Sequence, residues 1–350
     1  MEAILKREEK AILTLRQLYR QYGYTPYKMS RFEEYDLYVR SKDFLVSDQI
    51  ITFSGDRGRL MALKPDVTLS IVKNAPEEPG VIQKVYYNDN VYRDYREIMQ
   101  AGLECVGDLG SYEMAEVVLL AAKSLALLGE NYVLDISHMG LLNAVLDSCG
   151  LEGERKQKAM TCIRRKSLHE LEGLCEDAVA LGKLRTLTTC HGASLEGIRK
   201  VLTRKEELAA WDELKALWDI LEQSGCGSHI RLDFSVGNNM RYYSGVVFRG
   251  YLEGIPSSVL SGGQYDKLPQ RLGRKAKAIG FAIYVDLLQG EESRFDVDTL
   301  ILHDGTVKAW ILTAAAAEAA KSGTVLVARQ LPRGRTWKNL IRYENGEVVS

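Results

Sequence analysis

Val236-Gly-Asn-Asn-Met-Arg-Tyr-Tyr-Ser-Gly-Val-Val-Phe248 sets two glycines and a tyrosine pair inside a frame of aliphatic side chains. Residues 242–249 read as a strand, because aromatic and β-branched side chains suit a pleated, half-buried surface. Another strand is expected at 230–234. Downstream, Gly262-Gly-Gln-Tyr-Asp266 introduces the apolar run Ala278-Ile-Gly-Phe-Ala-Ile-Tyr-Val-Asp-Leu-Leu288. The tyrosine pair, Tyr242 and Tyr243, is either core packing or the wall of a site. Gly262 and Gly263 either make a tight turn or let a ligand approach the backbone.

Working outward, Ile4, Leu5, Ile12, Leu15, Leu18, Tyr19 and Tyr22 follow a helical period, with Gly23 where a C-cap would sit. Residues 24–29 turn extended, since Pro26 disfavours helix. Two β-rich runs, 49–53 and 59–64, flank a hairpin turn, and a helix is entered from Pro65 over 66–73. Strands at 81–93 and 98–106 are joined by Asp94-Tyr-Arg-Glu97. Helices follow at 112–128 and 139–148 around a strand at 132–136. Residues 151–225 show only helical patterns, near 153–165, 168–181, 194–202 and 205–223. After Gly290 the spacing predicts strands at 299–303, 309–312 and 324–328 around a short helix at 315–321, and Asn345-Gly346 turns a last hairpin. The fold class expected is α+β: residues 1–150 and 226–290 form a discontinuous core, 151–225 a helical insertion, and 291–350 a small α/β appendage.

The 350 residues exceed what a single core usually holds, which favours more than one unit. With 46 basic against 47 acidic residues the net charge is -1, so there is no basic excess of the kind that neutralises nucleic-acid phosphates. Six scattered cysteines lack metal-ligand spacing. Neither a signal-peptide core nor an apolar run of membrane-spanning length is present. The expectations are a cytoplasmic protein with free thiols and no metal, cofactor, membrane or nucleic-acid partner.

Gln100 and Glu104 stand four apart in an expected strand, so they share one sheet face, and their flanks are apolar. An amide and a carboxylate facing inward are costly unless something pairs with them. An internal basic side chain or a polar ligand would serve. Asp66 and Thr68 follow Pro65, where such residues commonly cap free helix amides; capping and ligand binding both remain open.

The order of these elements resembles the histidyl-tRNA synthetase family over residues 5–288. Leu63-Lys-Pro-Asp-Val-Thr68 is similar to that family's L-R-P-E-x-T element. Asn90-Val-Tyr-Arg93 with Gln100-Ala-Gly-Leu-Glu104 resembles its motif 2. Residues 238–248 resemble one histidine signature, L-V-R-G-L-D-Y-Y-T-G-x-V-F. Ser261-Gly-Gly-Gln-Tyr-Asp266 with Gly280-Phe-Ala282 resembles the second signature and motif 3. The resemblance implies a class II aminoacyl-tRNA synthetase-like antiparallel sheet with flanking helices. It also implies that Asp66 and Thr68 hold a histidine amino group, that Gln100 assists, and that Glu104 with Tyr242 and Tyr243 reads the imidazole. Arg93 is the one cation kept from motif 2.

The departures remove charge. Asn238 stands where the family has its catalytic arginine, Leu287 replaces the nucleotide-binding arginine of motif 3, and Tyr284 replaces a glycine. Only six residues separate Arg93 from Gln100, about seven fewer than the family's loop. Stabilising developing charge is the largest catalytic contribution in most enzymes, with each such group worth about 3 kcal/mol, so adenylation should be lost. The C-terminal appendage is about half an anticodon-binding domain. Together these features resemble the ATP phosphoribosyltransferase regulatory subunits, paralogues of the synthetases. That resemblance implies a non-catalytic, allosteric subunit serving the first step of histidine biosynthesis, with histidine as effector. It implies a homodimer within a hetero-octamer containing the short-form catalytic subunit, the dimer surface including the first helix and residues 24–31. An active or degenerate synthetase, or a synthetase-like scaffold for another partner, are the alternatives.

Overall fold

Asp94 and Tyr95 both adopt left-handed backbone, φ +50° and +60°, so the chain reverses in two residues. A turn of this kind matches the right-handed twist of paired strands. It lets the flanking strands pair right up to the turn, Arg93 opposite Arg96, and this long hairpin is the spine of the molecule. The computed structural model describes residues 5–40, 49–76, 78, 80–175, 177–190, 195–236, 242–288, 295–345 and 347–349. They fall into two compact units, one of residues 11–288 and one of residues 289–350 with 1–10.

The first helices and strands are α1 (Arg7–Gln21), β1 (Thr25–Pro26), β2 (Phe32–Glu34), α2 (Tyr35–Arg40), β3 (Thr52–Ser54), β4 (Leu60–Leu63) and α3 (Thr68–Lys73). The spine follows as β5 (Ile82–Arg93) and β6 (Arg96–Gly107), then α4 (Ser111–Leu128), β7 (Tyr132–His138) and α5 (Met139–Ser148). Five helices come next: α6 (Gly153–Arg165), α7 (Leu168–Glu172), α8 (Ala178–Thr189), α9 (Glu196–Val201) and α10 (Lys205–Gln223). The larger unit closes with β8 (Ile230–Leu232), β9 (Val246–Leu252), β10 (Leu260–Gln264), α11 (Lys267–Arg271) and β11 (Lys277–Tyr284).

Eight strands form one sheet in the order β1-β5-β6-β11-β10-β9-β7-β8. Its interior pairs are antiparallel and only the two edge pairs, β1 with β5 and β7 with β8, are parallel. Side chains alternate across a sheet, and here the two faces bury different cores. Leu103, Cys105, Ile279, Phe281 and Ile283 pack with α1, α4, α5 and the helices of 151–225. Val85, Tyr87, Val106 and Ala278 face the other way, against α2 and α3. A three-stranded sheet, β2-β4-β3, lies in the same unit.

The helical stretch shares its core with α4 and α5, through Leu184, Leu187, Trp211, Leu214 and Trp218. A buried ion pair adds to this: Lys183 Nζ reaches Glu207 Oε1 at 2.6 Å. The helix expected over 168–181 is interrupted, because Gly173 ends α7 and the Asp177 carboxylate caps α8, accepting from the Ala180 N–H at 2.7 Å. The expected strand at 242–249 starts only at Val246. Before it, the Ser244 N–H is drawn to the Gln264 carbonyl and Met139 donates to the Gly245 carbonyl.

The C-terminal unit is a four-stranded sheet, β13 (Val325–Ala328), β12 (Val297–His303), β14 (Trp337–Glu344), β15 (Glu347–Val348), with α12 (Ala309–Ala319). Strand β12 runs parallel to both β13 and β14. Residues 309–312, expected as a strand, instead begin α12. The alanines of 314–317 are strong helix formers, and they carry the short apolar run before them into the same helix. The core of this unit is Ile301, Val307 and Tyr343. No helix among the described residues is long and apolar enough to cross a membrane, and all six cysteines are free.

Tyr95 is 84% exposed and holds a left-handed backbone, which costs about 1–2 kcal/mol for a residue with a Cβ. Tyr95→Gly is therefore expected to stabilise the protein by about 1 kcal/mol in denaturant titration. A loss of stability would refute this account of the turn.

Candidate functional site

The site grows from three rows of residues that cross the middle of the sheet. In the first, Glu104 lies opposite Gly280; in the second, Gly102 lies opposite Ala282; in the third, Gln100 lies opposite Tyr284. Glycine at 280 is required by its neighbour, since a methyl group there would overlap the Glu104 carboxylate. Gly102 likewise leaves room for the Tyr87 ring. The small residues form a floor, and larger polar side chains stand around it.

Glu104 is 2% exposed. The Thr68 hydroxyl donates to its Oε1 at 2.6 Å, and the Tyr265 hydroxyl donates to its Oε2. Burial pushes the carboxyl up to about 8, although the hydrogen bonds from Thr68 and Tyr265 oppose the shift, and nearby Asp66 adds to it. Burial also raises Tyr265, Tyr242 and Tyr87 well above the ordinary phenol value, so all three keep their protons. Gln100, also 2% exposed, has no hydrogen-bond partner for its side-chain amide among the described residues.

Pro65 delivers the next group. Asp66 Oδ1 accepts from the Leu69 N–H at 2.9 Å, capping the start of α3. Its other oxygen takes a bond from Arg93 Nη2 at 3.3 Å, and Arg93 Nε donates to the Pro65 carbonyl at 2.5 Å. Asp66 thus caps the helix and faces the cavity at the same time. At the far end of α3, Arg274 donates to the carbonyls of Lys73 and Ala75. Beneath the Pro65 turn, fully buried Lys64 pairs with Asp89 at 2.5 Å. Tyr242 and Tyr243 meet edge to face with ring centroids 4.7 Å apart, and Tyr242 leans on Tyr265 at 5.5 Å.

The result is a cavity of about 320 Å³, near the lower end of the range for small-molecule pockets. Asp66, Thr68, Arg93, Gln100, Glu104, Tyr242 and Tyr243 all line it. Asn238 lies outside the described residues. Sequence reasoning missed Tyr265, Tyr87 and Arg249, which also line the cavity. Tyr265 lies in the glycine-rich run that begins at Ser261, and Arg249 is a lone cation between Phe248 and Gly250 in an otherwise largely apolar strand. Tyr284 crosses part of the floor, its hydroxyl 3.3 Å from Ser261 Oγ. Chemically the arrangement offers acceptors at Asp66 and Glu104, an uncommitted amide at Gln100, and aromatic walls. That set suits a small, polar ligand bearing N–H donors.

Comparison with known proteins gives a consistent picture. The family profile described as histidyl-tRNA synthetase matches residues 2–288. An ATP phosphoribosyltransferase regulatory subunit from Clostridium kluyveri is 30% identical over 78% of this chain and 74% of its own length. A Bacillus halodurans structure described as an ATP phosphoribosyltransferase regulatory subunit/histidyl-tRNA synthetase superposes with a TM-score of 0.77 at 22% identity. It covers 97% of this chain and 94% of that one. A chain of an ATP phosphoribosyl transferase complex from Thermotoga maritima has a TM-score of 0.63 at 19% identity, covering 79% and 97%. The last two establish likeness of fold, a class II synthetase-like architecture.

The raised Glu104 carboxyl gives a pH signature. Between its unfolded value near 4.5 and its folded value of about 8, the native state holds a proton that the unfolded chain releases, so stability falls as pH rises through that window. Melting temperatures measured from pH 5 to pH 9 should decline more steeply for the wild type than for Glu104→Gln. Parallel curves would contradict the assignment. Gly280→Ala should displace the Glu104 carboxylate, destabilise the fold and abolish ligand binding in this cavity; a variant as stable as the wild type would show that the close approach is dispensable.

Proposed function

The chain belongs to the histidyl-tRNA synthetase family and, within it, to the ATP phosphoribosyltransferase regulatory subunits, and from that membership we infer that it is the non-catalytic subunit of an ATP phosphoribosyltransferase, serving histidine biosynthesis. Its partner on this reading is a short-form catalytic subunit, bound by a homodimer of this chain within a hetero-octamer, in the cytoplasm. The effector is histidine, held in the cavity over β6 and β11. Its amino group meets Asp66, Thr68 and Gln100, and its imidazole meets Glu104, Tyr242 and Tyr243.

The observation that carries the reading is the pair Gln100 and Glu104. Both are 2% exposed and both line the cavity. Glu104 already accepts from Thr68 and Tyr265, whereas the Gln100 side-chain amide has no partner among the described residues, and leaving such a group without a ligand costs about 1–3 kcal/mol in desolvation. A ligand ammonium group can donate to the Gln100 carbonyl oxygen, and an imidazole can join the hydrogen bonds around Glu104.

Three features speak against adenylation. The motif 2 connection is a two-residue turn, Asp94 and Tyr95, with no length to fold over a triphosphate. Tyr284 places a phenol on the floor where the family has a glycine. Leu287, at the position of the motif 3 arginine, presents an apolar side chain 38% exposed. With the amino-acid part kept and the nucleotide part cut away, histidine acts as a signal rather than a substrate. Its binding biases one arrangement of the complex by the difference in its affinity for the two states.

The test is copurification with the short-form catalytic subunit, followed by assays with and without this chain. Activity should require the chain, and histidine should suppress it by roughly 5- to 150-fold, the usual span of allosteric coupling. Glu104→Ala should keep the activation and lose the suppression. Failure to copurify, or full activity of the catalytic subunit alone, would overturn the proposal.

A further inference from the structure

If the cavity holds an amino acid, its α-carboxylate also needs a partner, because a buried anion without one is strongly unfavourable. The described cations lining the cavity are Arg93 and Arg249. Arg93 is bound to the Pro65 carbonyl and Asp66, on the side where acidic groups would meet an ammonium ion. Arg249 comes from β9, at the opposite end of the floor. The register runs Gly102, Ala282, Ser261, Arg249 across four adjacent strands. Strands lie about 4.8 Å apart, so Arg249 starts roughly 14 Å from Gly102 across a lane of small side chains. Tyr87 closes the other end of that lane, opposite Gly102. Arg249 is half-buried, and its charge acts on Tyr243 within the cavity.

We propose that Arg249 is the residue that binds the ligand's α-carboxylate, and that it makes the pocket select free α-amino acids over the corresponding amines. The inference rests on the preceding reading of the cavity as a histidine site. The guanidinium carries five N–H donors in a fixed fork, so it can grip a carboxylate through two of them, whatever its other contacts. Ammonium and ring then point toward Asp66 and Glu104, and the carboxylate points along the small-residue lane toward β9. The positive charge that the sequence lacks at position 238 is thereby supplied from β9, in a place suited to holding a carboxylate.

Calorimetric titration of L-histidine and histamine into the wild type, Arg249→Ala and Arg249→Lys tests this. Histamine keeps the ring and the amine and lacks only the carboxylate. The wild type should bind histidine roughly ten- to a hundredfold more tightly than histamine, as expected for a charge-assisted bidentate contact. Arg249→Ala should lose that factor for histidine while its histamine affinity stays unchanged, and Arg249→Lys should fall between. Equal affinity of the wild type for both ligands, unchanged histidine binding by Arg249→Ala, or equal loss of both ligands in that variant would each overturn the role of Arg249. A wild type that binds neither ligand would overturn the histidine site itself, and this inference with it, so the two failures are distinct.

Discussion

A carboxylate held in the middle of a sheet is the constraint around which this structure is arranged. Glu104 can stay buried only because two hydroxyls donate to it and because Gly280 opposite provides the space. One hydroxyl comes from the start of α3 and the other from the turn after β10, so the carboxylate joins segments that are far apart in the chain. Burial favours its protonated form, and the two hydroxyl donors oppose that shift.

The rest of the architecture serves that placement. The spine hairpin puts Gln100, Gly102 and Glu104 on one face, and β11 sets small residues opposite two of them. The other face binds the helices of 151–225 into a single core with α4 and α5, so the sheet is backed by one continuous apolar layer. Pro65 and the capped start of α3 bring Asp66 and Thr68 over the floor. The same hairpin that positions the cavity floor ends in a two-residue turn, Asp94 and Tyr95.

Much of this was legible in the sequence where periodicity is long. Helices α6 and α10 occupy the expected residues, because an amphipathic stripe over several turns is a strong signal. The even spacing of Gln100 and Glu104 is enough to put them on a common face, as observed. Short apolar runs misled: residues 309–312 are helical because the alanines after them decide the element, and residues 242–245 are drawn out of β9 by local hydrogen bonds. Tyr265 and Arg249 reach the cavity through register between strands far apart in sequence, and no single-strand pattern carries register. At Asp66 the capping role is seen directly, Oδ1 accepting from the Leu69 N–H while the other oxygen accepts from Arg93.

On the proposed function, the amino-acid half of a synthetase site persists here as a sensor. A crystal structure of the protein grown with histidine tests that most directly. The prediction is a single histidine in the cavity, with an imidazole nitrogen within hydrogen-bond distance of Glu104 and Gln100 engaged by the ligand. An empty cavity at saturating histidine, or histidine bound elsewhere on the molecule, would contradict it.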